Sequence, residues 1–125
     1  MLPLDVTHQM LSTRARLDRM RAVGTRCAIA IADMLTFSEA FDLKKYGWEG
    51  APLHGPCVPA YMLRPEIFTG RKINVTIQTA DGLTVGASVA DYWQITDRPR
   101  NVTYIRDGNP DAYYDLICTL YARLP

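Results

Sequence analysis

Hydrophobic positions recur along the chain with two different periods, and the switches between them mark out the elements. Leu2, Leu4 and Val6 in "LPLDV" read as a short buried strand. Ser12 or Thr13 is placed to cap a helix running to about Ala22, which Gly24 ends. Thr25 caps a longer helix that Gly47 closes. Within it Ala28, Ile31, Ala32, Leu35 and Phe41 fall mostly three or four apart, the spacing of one buried stripe. "WEGAPLHG" reads as a loop. Pro56 then opens a short helix with Gly55 at its cap, and Pro65 ends it. From Ile73 the period becomes two: Ile73, Val75 and Ile77 alternate with polar residues, Asp81-Gly82 is a turn signal, and Leu83, Val85, Ala87 and Val89 resume the alternation. Residues 71–91 therefore predict a hairpin, and residues 101–106 a further strand. Asn109 caps a last helix with Pro110 in its first turn. Tyr113, Leu116, Ile117, Leu120, Tyr121 and Leu124 share one face of it, the strongest amphipathic pattern in the chain. Helices and strands mix, which makes the class α/β or α+β.

Composition narrows this picture only slightly. The 125 residues suffice for one domain, residues 1–125, with a modest core. Fourteen basic and thirteen acidic residues leave a net charge of +1, so no nucleic-acid or membrane partner is expected. The tightest basic cluster, Arg14, Arg16, Arg19 and Arg21, contains Asp18 and reads as a solvated helix face. Cys27, Cys57 and Cys118 are odd in number and lack metal-binding spacing, which fits a reduced, cytoplasmic protein. Two N-x-T sequons begin at Asn74 and Asn101, and without secretion, which is not expected, they carry no weight. No apolar run approaches the roughly 20 residues of a membrane helix. The chain opens directly on an apolar element, and it is expected to lack an upstream part.

The candidate chemistry is sparse. Glycines are isolated, so no phosphate loop forms, and no nucleophile elbow is present. His8 and His54 are far apart in sequence with no third ligand at metal spacing. His8 in "DVTHQ" reads as a structural histidine bonded to backbone. His54, on the loop "GAPLHGPC", suits equally a proton donor and a satisfied loop histidine. Tyr46 closes the long helix beside Trp48. Its hydroxyl is placed to act with His54, though packing is the commoner role of such an aromatic.

Three segments carry a resemblance. "LPLDVTHQ", "YGWEGAPLHGPC" and "RPEIFTGRKINVTIQTADGLTVGASVADY", in this order, resemble the C-terminal portion of the inosine-uridine preferring nucleoside hydrolases, the ribonucleoside N-ribohydrolases. The similarity runs from Leu2 to about Leu124 and covers about the last two-fifths of a typical member's length. It implies the C-terminal section of an open-sheet α/β fold with a projecting β-hairpin. The implied reaction is hydrolysis of the N-glycosidic bond of purine and pyrimidine ribonucleosides to ribose and base. A calcium ion in the family holds the ribose hydroxyls and the attacking water, and an N-terminal aspartate takes that water's proton.

The same resemblance implies roles residue by residue. His54 matches the histidine that protonates the leaving base, and Tyr46 a helix position from which some members contact the base. Gly55 stands where the family has an aspartate that ligates calcium, and the N-terminal "DxDxGxDD" cluster has no counterpart. Calcium is thus the family's cofactor, but this chain alone is expected to bind none, to have no metal residues, and to be inactive. The alternative is a non-catalytic interaction or oligomerisation module derived from the fold. The partners this implies are a ribonucleoside in the family, a second copy of the chain, or a complementing N-terminal half that pairs with a sheet edge left open at "LPLDV".

Overall fold

The computed structural model describes residues 1–125. Eleven segments mix helix and strand, and every strand pairing within the chain is antiparallel. The "LPLDV" segment is a correction. It forms a single helical turn, α1 (Leu4–Thr7), rather than a strand. Pro3 stands before its first turn and Asp5 within it, a helix-start arrangement that outweighs the apolar spacing of Leu2, Leu4 and Val6. No open edge lies there either. The Met1 amino group donates to the Thr103 carbonyl at 2.8 Å, and the Ile105 N–H donates to Met1 O at 3.0 Å, so the chain start lies along the last strand.

Next come β1 (Leu11–Thr13) and α2 (Arg14–Arg21), then α3 (Arg26–Tyr46). The Thr25 hydroxyl accepts from the Ala28 N–H at 3.2 Å, and Gly47 closes α3 in the left-handed region at φ 68°. Part of the expected "WEGAPLHG" loop is a strand, β2 (Gly50–Pro52), paired with β1 in the register Ser12 opposite Ala51. Ser12 is buried, and its hydroxyl donates to Ala51 O at 2.9 Å. Gly50 is required for this approach, because a Cβ there would lie 2.6 Å from the Ser12 backbone. Three residues with a proline give no readable period, which is why the strand is invisible in sequence.

The short helix is α4 (Cys57–Leu63), followed by a 3-10 turn at Pro65–Ile67. A three-stranded sheet follows in the order β4-β3-β5, formed by β3 (Phe68–Ile77), β4 (Ser88–Asp91) and β5 (Val102–Gly108). The projecting hairpin is present as β3 and β4, but its connection is wider than Asp81-Gly82 alone. Gln78 makes the last pairings, donating to Ala87 O at 2.9 Å and accepting from Gly86 N at 2.8 Å, and Leu83 and Val85 lie in the loop beyond. Helix α5 (Pro110–Tyr121) is capped by Asn109, whose side-chain oxygen accepts from Asp111 N at 3.0 Å and Ala112 N at 3.1 Å.

The core sits where α1, α2, α4 and α5 meet β5 and the start of β3. Val6, Met10, Leu17, Met20, Cys57, Ile105, Tyr113 and Tyr114 are essentially inaccessible there. In α5 the buried residues are Tyr113, Tyr114 and Ile117, whereas Leu116 is half-buried. In α3 the stripe holds at Ala28, Ile31, Ala32 and Leu35, but Phe41 is 63% exposed. At about 1.5 Å per residue the helix is about 31 Å long, and its C-terminal half runs past the core it packs on. The arginines of α2 do not make a free basic patch. Arg14 and Arg21 pair with Asp18, Arg21 also with Asp33, Arg16 with Asp111 and Arg19 with Asp115, which ties α2 to α3 and α5.

Candidate functional site

Two loops and one helix end bring the candidate residues together. His8 sits at the C-terminus of α1, Tyr46 and Trp48 at the end of α3, and His54 just beyond β2. The β1–β2 pairing delivers His54: Leu53 N donates to Met10 O at 3.1 Å and buries the Leu53 side chain, which turns the next residue outward. Leu4, His8, Asp42, Tyr46, Trp48, Pro52 and His54 line one cleft of about 340 Å³. The histidines, 46 positions apart in sequence, have ring centres 5.5 Å apart. Trp48 stacks on Tyr46 at 4.7 Å with an interplanar angle of 22°, and lies 5.1 Å from His8. The result is a largely aromatic wall around a single exposed imidazole pair.

One contact fixes His54. Its Nδ1 lies 2.8 Å from the hydroxyl oxygen of buried Thr7, and that hydroxyl lies 3.4 Å from Pro3 O, to which it donates. In that arrangement Nδ1–H donates to Thr7, and Nε2 is the nitrogen left to exchange a proton. At the rim the Lys45 ammonium lies 4.9 Å from the centre of the Tyr46 ring and 5.2 Å from that of Phe41. The Tyr46 hydroxyl beside it holds the Lys45 pKa above the usual lysine range, so the rim stays positive.

Metal chemistry fits this cleft poorly. Asp42 is its one carboxylate, and nowhere in the chain do three or more His, Cys, Asp or Glu side chains gather as a metal-holding group. Calcium takes six to eight oxygen ligands, usually with several carboxylates. At Gly55 a Cβ would meet nothing within 4 Å, so a side chain there is sterically possible and glycine is not required by packing.

The sequence offered His54 and Tyr46 as candidates, and both line one cleft. It set His8 aside as structural, whereas His8 lines the same cleft. It missed Thr7 and Trp48. The signal for Thr7 was weak, a hydroxyl next to a histidine in "VTH". Trp48 was legible only as an aromatic beside a helix end.

Comparison with known proteins defines first the fold and then the family. Solved structures of a purine-preferring ribonucleoside hydrolase from Gardnerella vaginalis and of a plant nucleoside hydrolase superpose with TM-scores of 0.79 each. They cover 98% of this chain at 24% and 16% identity, and the chain covers 39% and 40% of theirs. The family described as inosine-uridine preferring nucleoside hydrolase matches residues 1–115, and the chain belongs to that family. Among its relatives, an uncharacterised protein of Schizosaccharomyces pombe is 42% identical over 125 residues, all of this chain and 40% of that protein. A pyrimidine-specific ribonucleoside hydrolase, RihA, of Klebsiella pneumoniae is 37% identical over 118 residues, 94% of this chain and 38% of that enzyme. The chain thus spans about two-fifths of the length of the relatives it matches.

Proposed function

We propose that the His54 cleft is the base-binding end of a ribonucleoside site, and that this chain supplies the proton donor but not the rest of the catalytic apparatus. The observation that carries the reading is the Thr7-anchored imidazole beside the stacked Tyr46–Trp48 pair. A flat heterocycle suits an aromatic wall. As the C1′–N bond breaks, the base leaves with the bonding electrons, and the imidazolium form of His54, which carries a proton on Nε2 as well as on Nδ1, gives the Nε2 proton to it. The sugar passes through an oxocarbenium-like state that water must trap. Tyr46 contacts the base. The single carboxylate of the cleft supports the view that this chain alone neither holds the family's calcium nor activates that water. We read residues 1–125 as one domain, and three free cysteines fit a reducing, cytoplasmic setting. No helix is long and apolar enough to cross a membrane. The relatives' names include both pyrimidine-specific and purine-preferring enzymes, so the proposal stops at the ribonucleoside class.

The test has two parts. Titration with uridine and with inosine should shift the ring signals of Trp48 and His54 in NMR spectra, and His54→Ala should weaken the effect. Assays of base release with added calcium should show no turnover by the chain alone. Unchanged cleft signals at saturating nucleoside would remove the binding proposal, and robust calcium-dependent turnover would remove the inactivity.

A second reading rests on a different surface. On α3, Met34, Phe37 and Phe41 recur at helical spacing and are 62%, 87% and 63% exposed. That stripe supports a non-catalytic role in association, with a second copy or with a complementing segment equivalent to the rest of the relatives' chains. Light scattering over a concentration series separates the two: self-association abolished by Phe37→Glu supports the copy, and a monomer at all concentrations excludes it.

A further inference from the structure

The largest cleft of the molecule, about 580 Å³, is not the His54 cleft. It is lined by Gln9, Thr69, Gly70, Arg71, Tyr92, Arg106 and Asp107. Where the α2 arginines each meet a carboxylate, Arg71 and Arg106 have no acidic oxygen within 4.0 Å. Both instead lie against the ring of Tyr92. The Arg71 Cζ is 3.8 Å from its centre and the Arg106 Cζ 4.9 Å. Arg71 donates to the Tyr92 carbonyl, but its Nε is buried with no hydrogen-bond partner. A buried guanidinium N–H left unpaired is costly, and the same Arg71 side chain lines the cleft.

The pairing of β3 with β5 underlies the convergence. Thr69 faces Asp107 while Gly70 faces Ile105, so Arg106 is the extra residue of a β-bulge in β5. Arg71 stands opposite Tyr104, so the two-residue alternation of β5 puts Arg106 on the same side of the sheet as Arg71, and at the bulge β5 approaches β3 closely. Gly70 permits it, because a Cβ there would lie 2.3 Å from Tyr104 O. The remaining polar groups suit hydroxyls. Gln9 and Thr69 stand on the lining, and so does the Asp107 carboxylate, one of whose oxygens accepts from the Gly108 N–H. Asp5, on the adjoining hollow, accepts from the Tyr104 hydroxyl at 3.1 Å.

We propose that this cleft binds the phosphate of a small hydroxyl-bearing phosphate monoester between Arg71 and Arg106. Two guanidiniums present more N–H donors than one carboxylate can accept, whereas a phosphate dianion offers three strong acceptor oxygens and charge for both. Asp107 and Gln9 then take hydroxyls of the sugar-like remainder. The site does not depend on the nucleoside reading, since Leu4 and His8 line one cleft while Asp5 and Gln9 line other hollows.

The test is an NMR titration of the 125-residue protein with inorganic phosphate, ribose 5-phosphate, ribose and succinate, at ionic strength held constant with chloride. The expected result is saturable shifts of the Arg71 and Arg106 Nε–H signals with phosphate on the order of millimolar, tighter with ribose 5-phosphate, and none with ribose. Arg106 is exposed, so Arg106→Gln should leave the amide spectrum folded and weaken binding by about tenfold. Arg123→Gln, an equal charge change at another exposed site, should leave binding unchanged. Shifts that never saturate, equal affinity in Arg106→Gln, or succinate binding as tightly as phosphate would each overturn the proposal.

Discussion

Tyr113 and Tyr114 are adjacent, both fully buried, and packed edge to face at 5.3 Å, yet their hydroxyls differ. Tyr114 donates to Met10 O at 3.4 Å, while the Tyr113 oxygen is buried without a hydrogen-bond partner, close to the Cys57 thiol. Burial pushes both phenols well above their ordinary range and raises the Cys57 thiol as well. The thiol itself donates to Leu53 O at 2.9 Å. Removing an unpaired buried hydroxyl removes a desolvation penalty, so Tyr113→Phe should leave stability unchanged or raise it by about 1 kcal/mol in urea denaturation. A loss of more than about 1 kcal/mol would mean that the hydroxyl has a partner after all. At this scale the sequence showed which residue types were chemically able. It did not show which hydroxyl would be satisfied, because that depends on a carbonyl more than a hundred positions away.

Helix α5 shows what periodicity does and does not resolve. The pattern placed Tyr113, Leu116, Ile117, Leu120, Tyr121 and Leu124 on one face, and the helix and its Asn109–Pro110 start are as read. Burial is narrower: it centres on Tyr113, Tyr114 and Ile117, and Leu124 lies beyond the helix end, 43% exposed. Which part of an apolar face is covered depends on the neighbours, here α2 and α3, and on where the helix axis crosses them. Ile117→Ala should therefore cost about 2 to 4 kcal/mol, and the half-buried Leu116→Ala less than about 2 kcal/mol. Equal losses at the two positions in chemical denaturation would contradict the observed packing. The same limit explains the reversal at "LPLDV". A segment of four or five residues holds barely one helical turn, and Leu-x-Leu-x-Val spacing fits a strand as well. Docking of Asp5 to Tyr104 and of Met1 to β5 settles it as α1.

Across the whole molecule, one buried carboxylate ties folding to pH. Glu39 projects from α3 into a site where it is 9% exposed, and one of its oxygens lacks a partner. Desolvation raises its pKa above the usual carboxylate range, with Arg14 and Arg21 pulling the other way. A carboxyl whose pKa is higher folded than unfolded binds its proton more tightly in the native state. Its contribution to stability is therefore full below the ordinary carboxylate pKa and lost as pH rises through the raised value. Glu39→Gln should stabilise the protein at pH 7 by about 1 kcal/mol and flatten the pH dependence of its denaturation midpoint between pH 4 and 7. A midpoint lowered at pH 7 by this change would show that the charged form is the favoured one. By itself, the sequence determined the order and type of the long elements, since caps, glycine stops and apolar period are local properties of the chain. It also carried the family, through segments whose order survives, and it singled out His54 and Tyr46. Only the tertiary structure decided that β1 and β2 pair across 39 positions, that His8 joins His54, that Thr7 anchors the imidazole, and that Arg71 and Arg106 converge on the Tyr92 ring. Those outcomes depend on register and on approach between distant segments, which no local pattern of residues encodes.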